Sequence, residues 1–166
     1  LRNVIHSELS ILAGQEDWWN AQIGLHQFEQ HRVTDAIAAA RRAKGAVVAP
    51  GHVVAELSFG FWTGLLANRY HQRLWVPALH AAFPRLVGPR RELHRKQESL
   101  RKLRNRIAHH ENLIRPRWVA RRGTQAEMTP DQVHQVCVIA AGWIEPDAAT
   151  WPQERSRVLE VLAQRP

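Results

Sequence analysis

The chain has 166 residues, 45% of them hydrophobic and 23% charged, proportions of a foldable chain rather than of a disordered segment or a coiled-coil rod. Its 23 Lys and Arg against 15 Asp and Glu leave a formal charge of +8, which favours a polyanionic partner: RNA, DNA or an anionic membrane surface. The single cysteine, Cys137, excludes an internal disulfide framework and argues against a zinc site built from cysteines, so a reducing, cytoplasmic setting is expected.

The length suits one domain over residues 1–166. The chain opens on Leu1 rather than Met, from which a missing native amino-terminal segment is expected. Sustained period-two alternation and Asn-Gly or Asp-Gly turns are lacking, and helical signals recur instead, so the expected class is all-α. Leu1, Ile5, Leu9 and Leu12 before Gly14 predict a first helix. Thr34 and Asp35 predict an N-cap that opens a second, alanine-rich helix up to Gly45. After Pro50 and Gly51, His52 to Asn68 reads as one largely buried helix, because apolar residues cover most of its circumference. Its run Val53 to Leu66 contains Glu56 and is too short to cross a bilayer, and no signal peptide precedes it, so no membrane insertion is expected.

Tyr70 to Phe83 could hold a short helix, and Val87, Gly88 and Pro89 mark a turn. Arg91 to Asn112 is the clearest amphipathic pattern, with Leu93, Leu100, Leu103 and Ile107 continued by Ile114, and it stops before Pro116. Arg115 to Glu127, with Arg117, Arg121 and Arg122, is a basic connection that reads as a nucleic-acid contact or as a solvated loop. Thr129, Pro130 and Gln132 form a capping box, and Thr150 with Gln153 repeats that logic before Val158, Leu159, Val161 and Leu162. Two final helices are expected.

The chemistry concentrates in RNRIAHHE, Arg104 to Glu111. Asn105 and His109, four apart, stack on one helix face, whereas Arg104 and His109, five apart, diverge by about 140°. Read for structure alone, these are solvated cations at a helix carboxyl end, each favoured there by roughly 0.3–1 kcal/mol. A metal site of His109, His110 and Glu111 is disfavoured, because neighbouring helical residues point about 100° apart and no HExxH pair is present. Gly-x-Ser-x-Gly, P-loop and dinucleotide-binding patterns are lacking as well. Of the seven tryptophans, Trp62 and Trp143 read as core, and Trp118 beside Arg117 is the best candidate for stacking on RNA. Glu56, if buried, would need a partner.

The stretch LRNRIAHHENL resembles the signature of the Abi-like proteins of abortive phage infection, and Arg104-Asn105 followed by His109 is similar to the arginine-to-histidine motif of HEPN domains. Glu56-Leu57-Ser58-Phe59-Gly60-Phe61-Trp62 resembles the preceding helix of that family. Leu1-Arg2-Asn3 with Asp17-Trp18-Trp19 resembles its amino-terminal segment, although additional helix normally precedes it. The resemblance implies a single-domain HEPN-like helical bundle that pairs as a homodimer. It implies an endoribonuclease that needs no metal or cofactor, working in a cleft between two motif copies in antiviral defence.

By that resemblance His109 is the general base or acid at a ribose 2′-OH, and Arg104 stabilises charge on the attacked phosphate. Asn105 orients His109 or a phosphate oxygen, while Arg106, His110 and Glu111 assist or hold RNA. An active ribonuclease needs restraint, so a toxin of this kind would be paired with an antitoxin or regulatory protein. The competing expectation is a non-catalytic RNA-binding or protein-interaction module whose basic face only holds a partner.

Overall fold

A computed structural model of the chain describes residues 1–111 and 129–164, and every regular element among them is helical. The chain divides into two compact units, Leu1–Pro84 and Arg85–Pro166. Among the described residues no helix is long and apolar enough to cross a membrane.

In the first unit, α1 (Arg2–Ala13) forms as the apolar spacing predicts, and Gly14 ends it at φ 69°. The Gly14 and Gln15 amides donate back to the carbonyls of Ile11 and Ser10, the paired bonds of a Schellman cap. The second helix, α2 (Gln27–Lys44), begins well before the expected cap at Thr34. Glu29, Val33, Ala36 and Ala40 are buried at helical spacing, and that continuous face outweighs the local capping signal. The Thr34 hydroxyl instead donates to the Gln30 carbonyl at 3.1 Å, from inside the helix.

The expected single helix from His52 to Asn68 is two: α3 (Pro50–Glu56) and α4 (Phe59–Gly64). Leu57 and Ser58 adopt extended geometry between them, and the Ser58 hydroxyl accepts the Phe61 amide at 3.2 Å as an N-cap. After α4 the chain runs through a 3-10 turn at Asn68–Tyr70, a π turn at His71–Trp75 and a second 3-10 turn at Leu79–Ala82. Pro77 lacks the amide that would carry the first two on into a regular helix.

Trp18, Phe61 and Trp62 form the aromatic centre of this unit, all buried and at edge or stacked geometry 5.1–6.2 Å apart. Each indole N–H is satisfied: Trp62 donates to the Leu57 carbonyl at 3.2 Å, and Trp18 donates to His6 Nδ1 at 3.0 Å. Glu56 is exposed, and the buried carboxylate is Glu29, only 2% exposed. The Arg69 guanidinium pairs with Glu29, and the Tyr70 hydroxyl donates to it at 2.6 Å while accepting the His26 amide at 3.0 Å. Burial, followed by the bond to Glu29, pushes the Tyr70 phenol up to about 12.

The second unit comprises α5 (Arg90–Ala108), α6 (Pro130–Gly142), α7 (Pro146–Arg155) and α8 (Val158–Ala163). The capping box expected before α6 is present, with the Thr129 amide donating to Gln132 Oε1 at 2.9 Å. Its Val133, Val136, Val138 and Ala140 are buried, and α6 packs against α5 and α7. Trp143 is buried, as the sequence pattern indicates, and the Lys96 ammonium lies 6.0 Å above its ring. Thr150 does not cap a helix: α7 starts at Pro146, and the Thr150 hydroxyl donates to the Asp147 carbonyl at 2.8 Å. Trp151, Leu159 and Val161 remain exposed.

Tyr70→Phe removes the donor to Glu29 and the acceptor for His26, and is expected to cost about 1–3 kcal/mol in urea unfolding followed by tryptophan fluorescence; an unchanged midpoint would show that the bonds carry no stability. His6 accepts through Nδ1 only as neutral imidazole, and burial lowers its pKa. Its contribution is therefore complete above the ordinary histidine pKa of about 6.5 and is lost as pH falls below it. His6→Leu should flatten that acid limb of the stability profile.

Candidate functional site

The sequence motif lies at the carboxyl end of α5, whose composition is the first fact about it. Eight Arg and Lys against two Glu give this helix a formal +6 of the chain's +8. The helix is amphipathic as predicted, but its stripe is unevenly covered. Leu93 and Gln97 are buried, Leu100 and Leu103 are half-buried, and Ile107 is 53% exposed.

The helix ends at Ala108, earlier than the expected Asn112. His109 closes it at φ −94° and ψ 10°, its amide donating to the Asn105 carbonyl at 3.0 Å. His110 then takes φ 54°, the only non-glycine residue with positive φ among those described. Its amide donates to Ile107 and that of Glu111 to Arg106, at 3.1 and 3.0 Å. These are the same paired bonds that Gly14 makes at the end of α1, built here on a histidine. A side chain in this region costs about 1 kcal/mol or more, and histidine is among the residues that tolerate it best.

Arg104, His109, His110 and Glu111 are exposed, and Asn105 and Arg106 are half-buried. The structure brings Arg106 and Glu111 together, Nε to Oε2 at 3.2 Å, which commits Glu111 to an ion pair across the cap. It does not carry Arg104 to His109. Helical geometry sets their directions about 140° apart, with Arg104 beside the apolar stripe and His109 on the polar side. Asn105 and His109 share that polar side, as their spacing requires.

The motif also leaves out three cations of the same polar side: Arg91, Arg95 and Lys102. All are exposed, and none has an acidic partner among the described residues. The signal for them was present in the sequence as alternating steps of four and three, 91-95-98-102-105-109, the period of one helix face. The other cations of α5 with described ion pairs are held locally, Lys96 by Glu92 at 3.7 Å and Arg101 by Glu98 at 2.7 Å.

Among the described residues no three His, Cys, Asp or Glu side chains converge as a metal site would require. Ile114, Arg117, Trp118, Arg121 and Arg122 lie outside the described residues, so the expectations attached to them concern segment 112–128 alone. No family model, curated protein or solved structure matches the chain.

His110→Gly relieves the side chain of its left-handed conformation and is expected to stabilise the second unit by about 0.5–1 kcal/mol in denaturant unfolding. A destabilised variant would mean that the imidazole itself holds the cap.

Proposed function

We propose that the chain is a HEPN-type, Abi-like endoribonuclease that uses Arg104 and His109 from two copies, serving bacterial abortive infection under the restraint of an antitoxin or regulatory protein. The observation that supports this reading is the placement of both side chains in the open at the end of a strongly basic helix, pointing to different sides of it. Two exposed groups that diverge within one copy are available to complete a cleft across a pair, and the uncovered Ile107 end of the apolar stripe lies beside Arg104.

The chemistry needs only the substrate's own nucleophile. His109 takes the proton of a ribose 2′-OH, the oxygen attacks the adjacent phosphorus, and the bond to the 5′ oxygen breaks as that oxygen receives a proton. The products are a 2′,3′-cyclic phosphate and a 5′-hydroxyl. Arg104, always cationic, offsets the charge that builds on the non-bridging phosphate oxygens.

The same divergence favours a second reading, a non-catalytic RNA-binding module, since Arg91, Arg95 and Lys102 of α5 are exposed and have no acidic partner among the described residues, whether or not two motifs ever meet. Purified wild type and His109→Ala are compared on labelled RNA in EDTA, with mass spectrometry of the fragment ends. Cyclic-phosphate ends from wild type, reduced about 10²–10⁴-fold in the variant, are expected. Equal cleavage by a pure variant removes His109 from the reaction, and retained binding with no cleavage by either protein selects the binding module.

A further inference from the structure

We infer that the polar face of α5 is a track for the phosphodiester backbone of a single RNA strand, held by Arg91, Arg95 and Lys102 and leading to His109. The inference rests on the ribonuclease reading for the destination of the strand. The track itself rests on charge and shape.

Ideal helical geometry puts Arg91, Arg95, Glu98, Lys102, Asn105 and His109 within about 40° of one line, extending about 27 Å along the axis. The three cations of this line are exposed and without acidic partners among the described residues. Arg91, Arg95, Glu98 and Lys102 line a single groove together with Pro89, His94 and Glu92, whose carboxylate lies 3.7 Å from the Lys96 ammonium. The one acid on the line does not cancel them: Arg101, at the side of the face, takes both Glu98 oxygens at 2.7–3.1 Å. What remains is a row of guanidinium and ammonium groups ending at an imidazole.

The chemistry of the face selects its partner. A helix that lies on a bilayer buries apolar side chains beside its cations, and a protein interface is anchored by aromatic or aliphatic groups. This line has neither, being Arg, Arg, Glu, Lys, Asn and His throughout. A nucleic-acid backbone asks only for spaced cations, and delivery to His109 places a ribose against the general base. Arg104 lies off the track, so the strand reaches it only where a second copy supplies it.

The test uses the whole chain in a His109→Ala background, so that the strand survives, and a fluorescein-labelled single-stranded oligoribonucleotide in EDTA over a salt series. Arg91→Gln, Arg95→Gln and Lys102→Gln are combined, and Arg41→Gln, Arg42→Gln and Lys44→Gln form a charge-matched control at the exposed end of α2. Glutamine keeps helix propensity close to that of Arg and Lys, and circular dichroism verifies the fold.

Losing three phosphate contacts should lower affinity about ten- to a hundredfold and flatten the slope of log K against log salt by about 2, while the control stays within about twofold. A track variant that keeps both affinity and slope overturns the inference, as does a starting protein that binds no RNA. Binding to phosphatidylcholine–phosphatidylserine vesicles through these three residues, in place of RNA, overturns it too. If the track variant loses RNA as expected but wild type never cuts, the track stands and the ribonuclease reading falls.

Discussion

A nineteen-residue helix that carries eight Arg and Lys side chains against two Glu must spread its charge around the circumference or repel itself apart. The second unit is arranged around that requirement. Leu93 anchors one side of α5 and is buried, with α6 packed against the helix. Glu92 and Glu98 neutralise Lys96 and Arg101 within one turn of themselves. Arg104 and Arg106 fall in the final turns, where the helix dipole favours cations. The outward row of Arg91, Arg95 and Lys102 is what this distribution leaves without a counter-charge among the described residues, so the charged surface and the packing of the helix have one origin.

The same distribution separates the two residues that the motif joins in sequence. Arg104 continues the line of Leu93, Gln97 and Leu100, whereas His109 continues that of Arg95, Lys102 and Asn105. Early termination of the helix accentuates the difference, since His109 is already the cap and His110 turns the chain away. A spacing of five residues on a straight helix therefore turns the two side chains to different sides of it. Joint action on one phosphate would need a second body to close the remaining angle.

The elements legible in the sequence are those with local causes. The apolar steps of α1 and its Gly14 terminator, the amphipathic pattern of α5, and Thr129, Pro130 and Gln132 at the start of α6 each act over a few residues. The elements misread depend on distant partners. Glu29 looks like any solvated helix acid until Arg69 and Tyr70, some forty positions later, surround it. Its burial then draws the start of α2 ahead of the Thr34 signal. Ser58 divides a run read as one largely buried helix, because one hydroxyl on the Phe61 amide suffices to restart a helix. At the candidate site the shared face of Asn105 and His109 follows from their spacing, whereas the pairing of Glu98 with Arg101, which leaves Lys102 without an acidic partner among the described residues, depends on side-chain placement that spacing does not fix. Histidine gave no warning that it would occupy a position where α1 uses glycine.

Ile107, Trp151, Leu159 and Val161 sit at the surface of a unit that also holds most of the net positive charge. These two features respond to electrolyte in opposite senses. At low ionic strength like charges keep copies apart while the field of α5 reaches far towards anions; near 0.1 M salt the Debye length contracts to about 10 Å and both effects fade. Burial of the apolar groups is not weakened by that screening and is strengthened by kosmotropic ions. Repulsion between like-charged copies and attraction towards anions therefore weaken together as ionic strength rises, whereas the tendency of the exposed apolar side chains to leave water does not.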